Sequence, residues 1–223
     1  MAWLPEREIT GPERPTTRDV EPLNRVFSGA FTDRYRRDGM TGVRVPYLNP
    51  AIWRYALDDA GEGAMVWRDP DGELCGFNMV HLSGREGWMG PLAVRPDRQG
   101  SGLGKTMIRA GITWLRERGA RTIGLETMPR TIENIGFYSR LGFVPGHLTV
   151  TLTRDLQRRP LLHPEVLSTS GAARADRLAE CRRLTTALLP DTDFTRELNA
   201  TAELRIGDTL MVRDPGGELS GFA

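Results

Sequence analysis

Residues 92–105 read Leu-Ala-Val-Arg-Pro-Asp-Arg-Gln-Gly-Ser-Gly-Leu-Gly-Lys, an apolar strand end that runs into a glycine-rich loop and then into a helical pattern. The glycines at 100, 102 and 104 let backbone N–H groups turn inward, because no Cβ stands in the way. The first turn of a helix adds unpaired N–H donors and a partial positive charge. The stretch therefore predicts an anion site suited to phosphate or pyrophosphate.

Length, charge and cysteine content limit the classes of protein to consider. The chain has 223 residues, which at about 150 residues per domain predicts one to two domains. A net charge of +1 gives no reason to expect a nucleic-acid partner. Two cysteines, Cys75 and Cys181, form no metal or redox pattern, so we expect no metal and a reduced, cytoplasmic protein. No apolar run approaches the roughly 20 residues that span a bilayer, and a signal peptide pattern is missing, so no membrane partner is expected.

Hydrophobic periodicity and turn residues predict alternating strands and helices around the loop. Thr17 is predicted to cap a first helix that ends at Phe31, and a helix after the loop buries Leu103, Met107, Ile108, Gly111 and Leu115. The other predicted elements are a strand at 7–10, a helix at 50–61, strands at 64–68, 74–82, 88–94 and 121–127, a helix at 131–141 and a strand at 143–152. The three strands before the loop are expected to be antiparallel.

An internal repeat extends the chain beyond this set of elements. RDPDGELCGF at 68–77 recurs as RDPGGELSGF at 213–222, with eight of ten positions identical at a constant offset of 145. Such self-similarity predicts a duplication. We expect a complete domain over 1–153, a linker over 154–172 and a partial second copy over 173–223. Either the chain is truncated within the second copy, or this part packs on the first as an accessory layer.

The residues of the loop leave three readings to weigh. GSGLGKT at 100–106 is similar to a nucleotide-binding P-loop, but the first glycine would have to stand at Gln99. A dinucleotide site needs Gly-x-Gly-x-x-Gly in a parallel unit, whereas the glycines here are spaced differently. A loop that merely turns the chain is the third reading.

Two motifs in order resemble one known family. Val94-x-Pro96-x-x-Gln99-Gly100-x-Gly-x-Gly looks like the acyl-CoA motif of the GCN5-related N-acetyltransferases (GNAT), and ENIGFYSRLGF at 133–143 looks like the family's second motif. The resemblance implies an α/β (α+β) GNAT fold, with a mixed, mostly antiparallel twisted sheet flanked by helices and followed by a partial second GNAT-like unit. It covers roughly residues 5–153, and 160–223 only through the repeat.

The resemblance implies acetyl-CoA as co-substrate and assigns the residues that hold it. Pantetheine would run along the strand before the loop, which splays from the next strand in this family, and the pyrophosphate would lie on the loop. The implied cofactor-binding residues are Leu92, Ala93, Val94, Gln99, Gly100, Ser101, Gly102, Leu103, Gly104, Lys105 and Asn134. A backbone N–H near Leu92 would face the thioester oxygen, and Pro91 is consistent with a distorted ladder there.

The implied reaction moves an acetyl group to a primary amine of a small molecule or peptide by direct attack. Tyr138 matches the family's proton donor to the leaving thiolate. Glu126 is the best-placed base by sequence, whereas Glu86 and His81 are poorer candidates. The alternative is a non-catalytic acyl-CoA-binding or regulatory module. The sequence leaves the acceptor, the acyl chain length and the oligomeric state open, with a homodimer among the options.

Overall fold

A computed structural model describes residues 9–128, 130–146 and 165–223. The chain divides into two compact units, Met1–Glu126 and Thr127–Ala223. Each unit has its own sheet among the described residues.

The first unit is a five-stranded sheet with helices packed on it. Its elements are β1 (Thr10–Glu13), α1 (Val20–Arg37), α2 (Pro50–Ala60), β2 (Ala64–Arg68), β3 (Leu74–Ser83), β4 (Glu86–Val94), α3 (Leu103–Glu117) and β5 (Thr122–Leu125). The strand order follows the chain from β1 to β5. Neighbouring strands pair antiparallel except β4 and β5, which are parallel. This confirms the predicted mixed, mostly antiparallel sheet.

The prediction for the first helix was wrong at both ends. Thr16, not Thr17, caps a short 3-10 turn before α1, and its side chain and that of Asp19 form a reciprocal capping box. The helix continues past Phe31 to Arg37. Its last turns are polar and hold i,i+4 ion pairs, such as Arg37 with Asp33 at 2.7 Å, which hydrophobic periodicity does not detect.

The core of this unit lies where α1 and α2 meet the sheet. Trp53 of α2 is fully buried, and its ring meets those of Phe77 and Phe27 edge to face at 5.4 and 6.0 Å. The indole N–H of Trp53 donates to Oδ1 of the buried Asn24 at 2.7 Å. Aromatic packing and a satisfied buried amide together fix both helices on β3.

The second unit holds a smaller sheet. Its elements are α4 (Ile132–Ser139), β6 (Glu165–Val166), α5 (Arg174–Leu188), α6 (Thr195–Glu203), β7 (Leu210–Arg213) and β8 (Leu219–Phe222). The order is β6-β7-β8, with antiparallel pairs throughout. The predicted strand at 143–152 is not seen over residues 143–146, and residues 147–152 lie outside the described ones, as do 7 and 8 of the predicted first strand.

The repeated sequences form hairpins with the same register. Val66 pairs with Phe77 and Met211 with Phe222, and each hairpin shifts register just before its repeated arginine, Arg68 or Arg213. The turns also match, because Asp69 and Asp214 each accept from a backbone N–H four residues on, at 3.0 Å.

The strand that flanks each hairpin also contributes the same ion pair. Arg68 binds Glu13 of β1 at 3.1 Å, and Arg213 binds Glu165 of β6 at 2.6 Å. Each arginine also binds a carboxylate from the helical region that follows that strand, Asp19 at 2.6 Å or Glu180 at 2.6 Å. The likeness of the two regions is therefore one of pairing geometry as well as of sequence.

None of the helices within the described ranges is long and apolar enough to cross a membrane. Within the same ranges, no three His, Cys, Asp or Glu side chains are grouped so that they could hold a metal ion.

Candidate active site

The second half of β4 has an edge that β5 does not cover. The β4–β5 pairs run from Glu86 with Thr122 to Met89 with Leu125. On its other side β4 stays paired with β3 as far as Val94. Along the described strands, the residues of β4 beyond Met89 are therefore paired on one side only, which leaves backbone groups that an extended ligand can pair with.

A bulge marks the point where the parallel pairing ends. Val80 pairs with Met89 and Asn78 with Leu92, so Gly90 and Pro91 together oppose one residue of β3. Bulges re-aim a strand, and proline is accommodated there because it has no N–H to donate. The distorted ladder predicted around Pro91 is present.

The glycine loop follows directly from this free edge. Gly100 has φ +81° and Gly102 has φ +91°, in the left-handed region that glycine adopts without strain. A Cβ at either position would meet no described atom within 4 Å. Glycine is therefore favoured at these positions by the backbone conformation, and not by close packing against neighbouring residues.

An arginine clamp holds the base of the loop on the repeated hairpin. Arg95 donates from Nη2 to Oδ2 of the buried Asp69 at 2.7 Å, and its backbone N–H donates to the carbonyl of Cys75 at 2.8 Å. The hydrogen bond from Arg95 holds the pKa of the Asp69 carboxyl below its ordinary value. Sequence patterns do not detect this clamp, because Arg95 and Asp69 lie 26 residues apart.

Helix α3 begins at the end of the loop with unpaired N–H donors. Gly102 is its N-cap, and Thr106 donates the first hydrogen bond along the helix back to Gly102, at 3.2 Å. The N–H groups of Leu103, Gly104 and Lys105 precede that bond, and no acidic side chain stands in the first turn. The predicted apolar face is confirmed, since Leu103, Met107, Ile108, Gly111 and Leu115 are all buried.

Three of the predicted cofactor residues differ in what their side chains can offer a ligand. Lys105 is exposed, so it can reach an anion on the loop. Gln99 donates from Nε2 to the carbonyl of Val94 at 3.0 Å, which ties its side chain to the loop itself. Leu103 faces the core, so only its backbone can serve a ligand.

Asn134 and Tyr138, the amide and the phenol of the second motif, belong to the second unit. Asn134 lies in the first turn of α4 and donates from Nδ2 to Oγ1 of Thr127 at 3.3 Å. Tyr138 is half-buried between the rings of Phe137 and Phe143, at 5.2 and 6.1 Å. Burial raises the pKa of Tyr138 to about 12, so its hydroxyl is protonated, and able to donate, at neutral pH.

The candidate bases differ in position. Glu126 follows β5 directly and is exposed. His81 lies on β3 with Nδ1 3.7 Å from Oδ2 of Asp59, and Glu86 begins β4. The structure thus joins residues 92–94 and 99–105 in one continuous edge, loop and helix start. Glu126 lies at the end of the first unit, and Asn134 and Tyr138 in the second.

Comparisons with known proteins agree with this architecture. Residues 29–143 match the model of the Acetyltransferase (GNAT) family. A mycothiol acetyltransferase of Streptomyces coelicolor is 39% identical over 98 residues, which are 40% of this chain and 31% of that protein. One from Rhodococcus erythropolis is 30% identical over 162 residues, 67% of this chain and 53% of that protein. The chain thus spans about half or less of the length of these curated relatives.

Solved structures give the same fold at low identity. A Pyrococcus horikoshii protein described as a candidate acetyltransferase matches with a TM-score of 0.61 at 16% identity, over 96% of this chain and 70% of its own. The BH1408 protein of Bacillus halodurans matches with a TM-score of 0.53 at 20% identity, over 66% of this chain and 99% of its own. These likenesses concern the fold alone.

Proposed function

Because the chain belongs to the Acetyltransferase (GNAT) family, we propose that it transfers an acetyl group from acetyl-CoA to a primary amine of a small molecule or peptide. The observation that carries the proposal is the one-sided edge of β4, which leads without interruption into the glycine loop and the open start of α3. An extended thioester arm ending in a pyrophosphate has this shape.

The residues of the first unit fit acetyl-CoA in two ways. Pantetheine pairs with the backbone of Leu92, Ala93 and Val94, in the manner of an added strand. The pyrophosphate takes hydrogen bonds from the N–H groups between Gly100 and Lys105, where the dipole of α3 favours an anion. The clamp from Arg95 to Asp69 keeps the loop in place before the ligand arrives. In this proposal Gln99 and Ser101 shape the loop, and Asn134 hydrogen-bonds the pantetheine.

The transfer itself is a direct displacement within a ternary complex. The amine nitrogen forms a bond to the thioester carbon, an N–H near Leu92 stabilises the oxyanion, and the carbon–sulfur bond then breaks. Glu126 accepts the amine proton through water, and Tyr138 gives its proton to the leaving thiolate. Burial raises the pKa of Tyr138, so the phenol carries the proton that this role needs at neutral pH.

The domain organisation is part of the proposal. We infer a complete acetyltransferase domain over 1–153, a linker over 154–172 and a partial second copy over 173–223. The identical register of the two hairpins and the equivalent ion pairs of Arg68 and Arg213 support the duplication. In this arrangement the glycine loop of the first copy serves one acetyl-CoA per chain, in the cytoplasm.

Release of free thiol from acetyl-CoA tests the proposed activity. Purified protein is assayed against a panel of primary amines, including the deacetylated form of mycothiol, since the relatives carry that name. We expect turnover with at least one amine, and a fall in kcat of about 100-fold or more in Tyr138→Phe, the usual scale for a lost proton donor. The affinity for acetyl-CoA should stay unchanged in that variant.

A different outcome would favour the non-catalytic alternative. If acetyl-CoA raises the melting temperature but no amine in the panel releases thiol, the chain binds the thioester without transferring the acetyl group. If acetyl-CoA does not alter the melting temperature, the assignment of the loop is wrong as well.

A further inference from the structure

A groove in the first unit has no role in the reaction described so far. Its volume is about 470 Å³. It is lined by one face of α1, by the segment that follows that helix, and by the start of the glycine loop: Arg25, Ser28, Gly29, Thr32, Asp33, Arg36, Arg44, Tyr47 and Pro96. Because Pro96 follows the clamp residue Arg95, the groove opens beside the proposed cofactor loop.

Hydrogen bonds from α1 hold the segment that contributes Arg44 and Tyr47 to the groove. Asn24, Ser28 and Thr32 are spaced four residues apart, so they form one row on the helix. Asn24 pairs with both backbone groups of Leu48, at 3.0 and 2.8 Å, and Thr32 accepts from the N–H of Val45 at 3.0 Å. The segment at 45–48 is therefore fixed along the helix, and the groove is a built feature of this unit.

A glycine of α1 lies at the floor of the groove. Gly29 lies within α1, where glycine is unfavourable compared with alanine by about 1 kcal/mol. A Cβ at Gly29 would meet no described atom within 4 Å. The space above Gly29 is therefore open: a methyl group there would not close the groove, whereas a large side chain would extend into it.

The charge of the groove is positive and only partly compensated. Three guanidinium groups line it against one carboxylate, and that carboxylate, Asp33, is bound to Arg37 at 2.7 Å. Arg25 pairs with Glu21 at 3.4 Å. Among the residues that the structure describes, Arg36 and Arg44 have no carboxylate partner, and both are exposed to the groove's solvent.

We propose that this groove binds the carboxylate or phosphate group of a small molecule that takes part in the transfer, through the guanidinium groups of Arg36 and Arg44. Planar guanidinium groups bind oxyanions through paired N–H donors. Tyr47 adds an exposed ring and hydroxyl at the rim. The role of this anion in the transfer rests on the proposed function. The anion has two sources, the 3′-phosphate of CoA or an acidic group of the amine acceptor.

Binding measurements without turnover test this site separately from the activity. The variant Arg36→Gln/Arg44→Gln is compared with wild type and with Arg116→Gln/Arg183→Gln, which removes two exposed arginines from α3 and α5 at equal net charge. The probes are inorganic phosphate and succinate, followed through the amide signals of Gly29, Thr32 and Tyr47. We expect saturable shifts in the wild type and the control, and their loss in the groove variant.

Calorimetric titration distinguishes the two sources of the anion. If the 3′-phosphate binds here, the groove variant weakens acetyl-CoA binding about tenfold and leaves 3′-dephospho-acetyl-CoA unaffected. If an acidic acceptor binds here, both thioesters bind as in wild type and only the shifts caused by phosphate and succinate are lost. A second variant, Gly29→Trp, fills the floor and should act like the double variant, whereas Gly29→Ala should not.

The proposal is overturned if neither probe gives saturable shifts at these amides in the wild type. It is also overturned if the groove variant and the control lose binding equally, which would indicate general charge attraction. Both results are readable even in a chain that transfers no acetyl group, so they are distinct from failure of the proposed activity.

Discussion

Replacing Gly102 by alanine should introduce backbone strain that lowers either the stability of the fold or its affinity for the cofactor. Gly102 caps α3 with φ +91° and ψ −8°, and its Cβ would lie in open space. The strain is therefore conformational only, about 1–2 kcal/mol for an L-residue in the left-handed region. If the loop keeps its path, the free energy of unfolding falls by that amount, a loss of roughly 2–8 °C in melting temperature.

If the loop relaxes instead, the N–H groups at the start of α3 turn away from the pyrophosphate. Stability is then retained, and the Kd for acetyl-CoA rises by roughly 5–30-fold, since about 1.4 kcal/mol corresponds to a factor of ten. If the loop relaxes only in part, the same strain energy lowers both the free energy of unfolding and the affinity for acetyl-CoA. Contact between the new methyl group and the ligand can only add to the loss of affinity. Thermal unfolding and calorimetric titration of the same sample measure both quantities.

Gly119 provides the matched control at the other end of α3. It has φ +81° and also faces open space, so Gly119→Ala carries the same strain without touching the loop. We expect it to lower the melting temperature and leave the Kd unchanged. Gly102→Asn should fall between wild type and Gly102→Ala, because asparagine tolerates the left-handed region better. If Gly102→Ala keeps the wild-type melting temperature and Kd, the cradle assigned to this loop is refuted.

Three further substitutions test the scaffold and the second motif. Asn24→Ala removes three hydrogen bonds and leaves a buried indole N–H unpaired, so urea unfolding should show a loss of roughly 2–5 kcal/mol, and a loss under 1 kcal/mol would contradict it. The pKa of Tyr138 is about 12 in the folded chain and about 10 unfolded, so the unfolded state ionises first as pH rises. The stability present below about pH 10 should fall towards pH 12 in wild type, and unfolding of Tyr138→Phe should lack this component. Asp69→Asn keeps an oxygen for the turn but loses the charge that holds Arg95, so acetyl-CoA affinity should fall while Asp214→Asn leaves it unchanged in the same titration.

Local sequence determined the strands and the helix face well, because both depend on near neighbours. β2 has the predicted bounds, 64–68, and β3 exceeds its prediction by one residue, since alternation and the Asp-Pro-Asp-Gly turn act within a few positions. The end of α1 depends on i,i+4 ion pairs such as Arg37 with Asp33, which carry no hydrophobic signal. The predicted strand at 121–127 is shorter, Thr122–Leu125, because a ladder ends where its partner bulges at Gly90.

The same difference between local and distant contacts applies to the candidate site. The continuity of strand, loop and helix from Leu92 to Lys105 is a property of consecutive residues, so spacing alone was enough to predict it. The clamp joins Arg95 to Asp69 across 26 residues, and no local pattern reports that contact. The resemblance assigns Gln99 to the cofactor, and in the folded loop its side chain donates to the carbonyl of Val94. Sequence alone does not decide whether this amide donates to the cofactor or to the loop's own backbone.

Comparison of the two hairpins explains why the clamp could not be inferred from the repeat. Asp69 and Asp214 perform the same task within their turns, each accepting from the backbone N–H four residues on. Asp69 has a second oxygen that binds Arg95, whereas Asp214 has no such cation among the described residues. A carboxylate retained for turn geometry thus leaves one oxygen available for another partner. In the first unit that partner is the loop that we assign to acetyl-CoA, so the hairpin supports both the sheet and the proposed site.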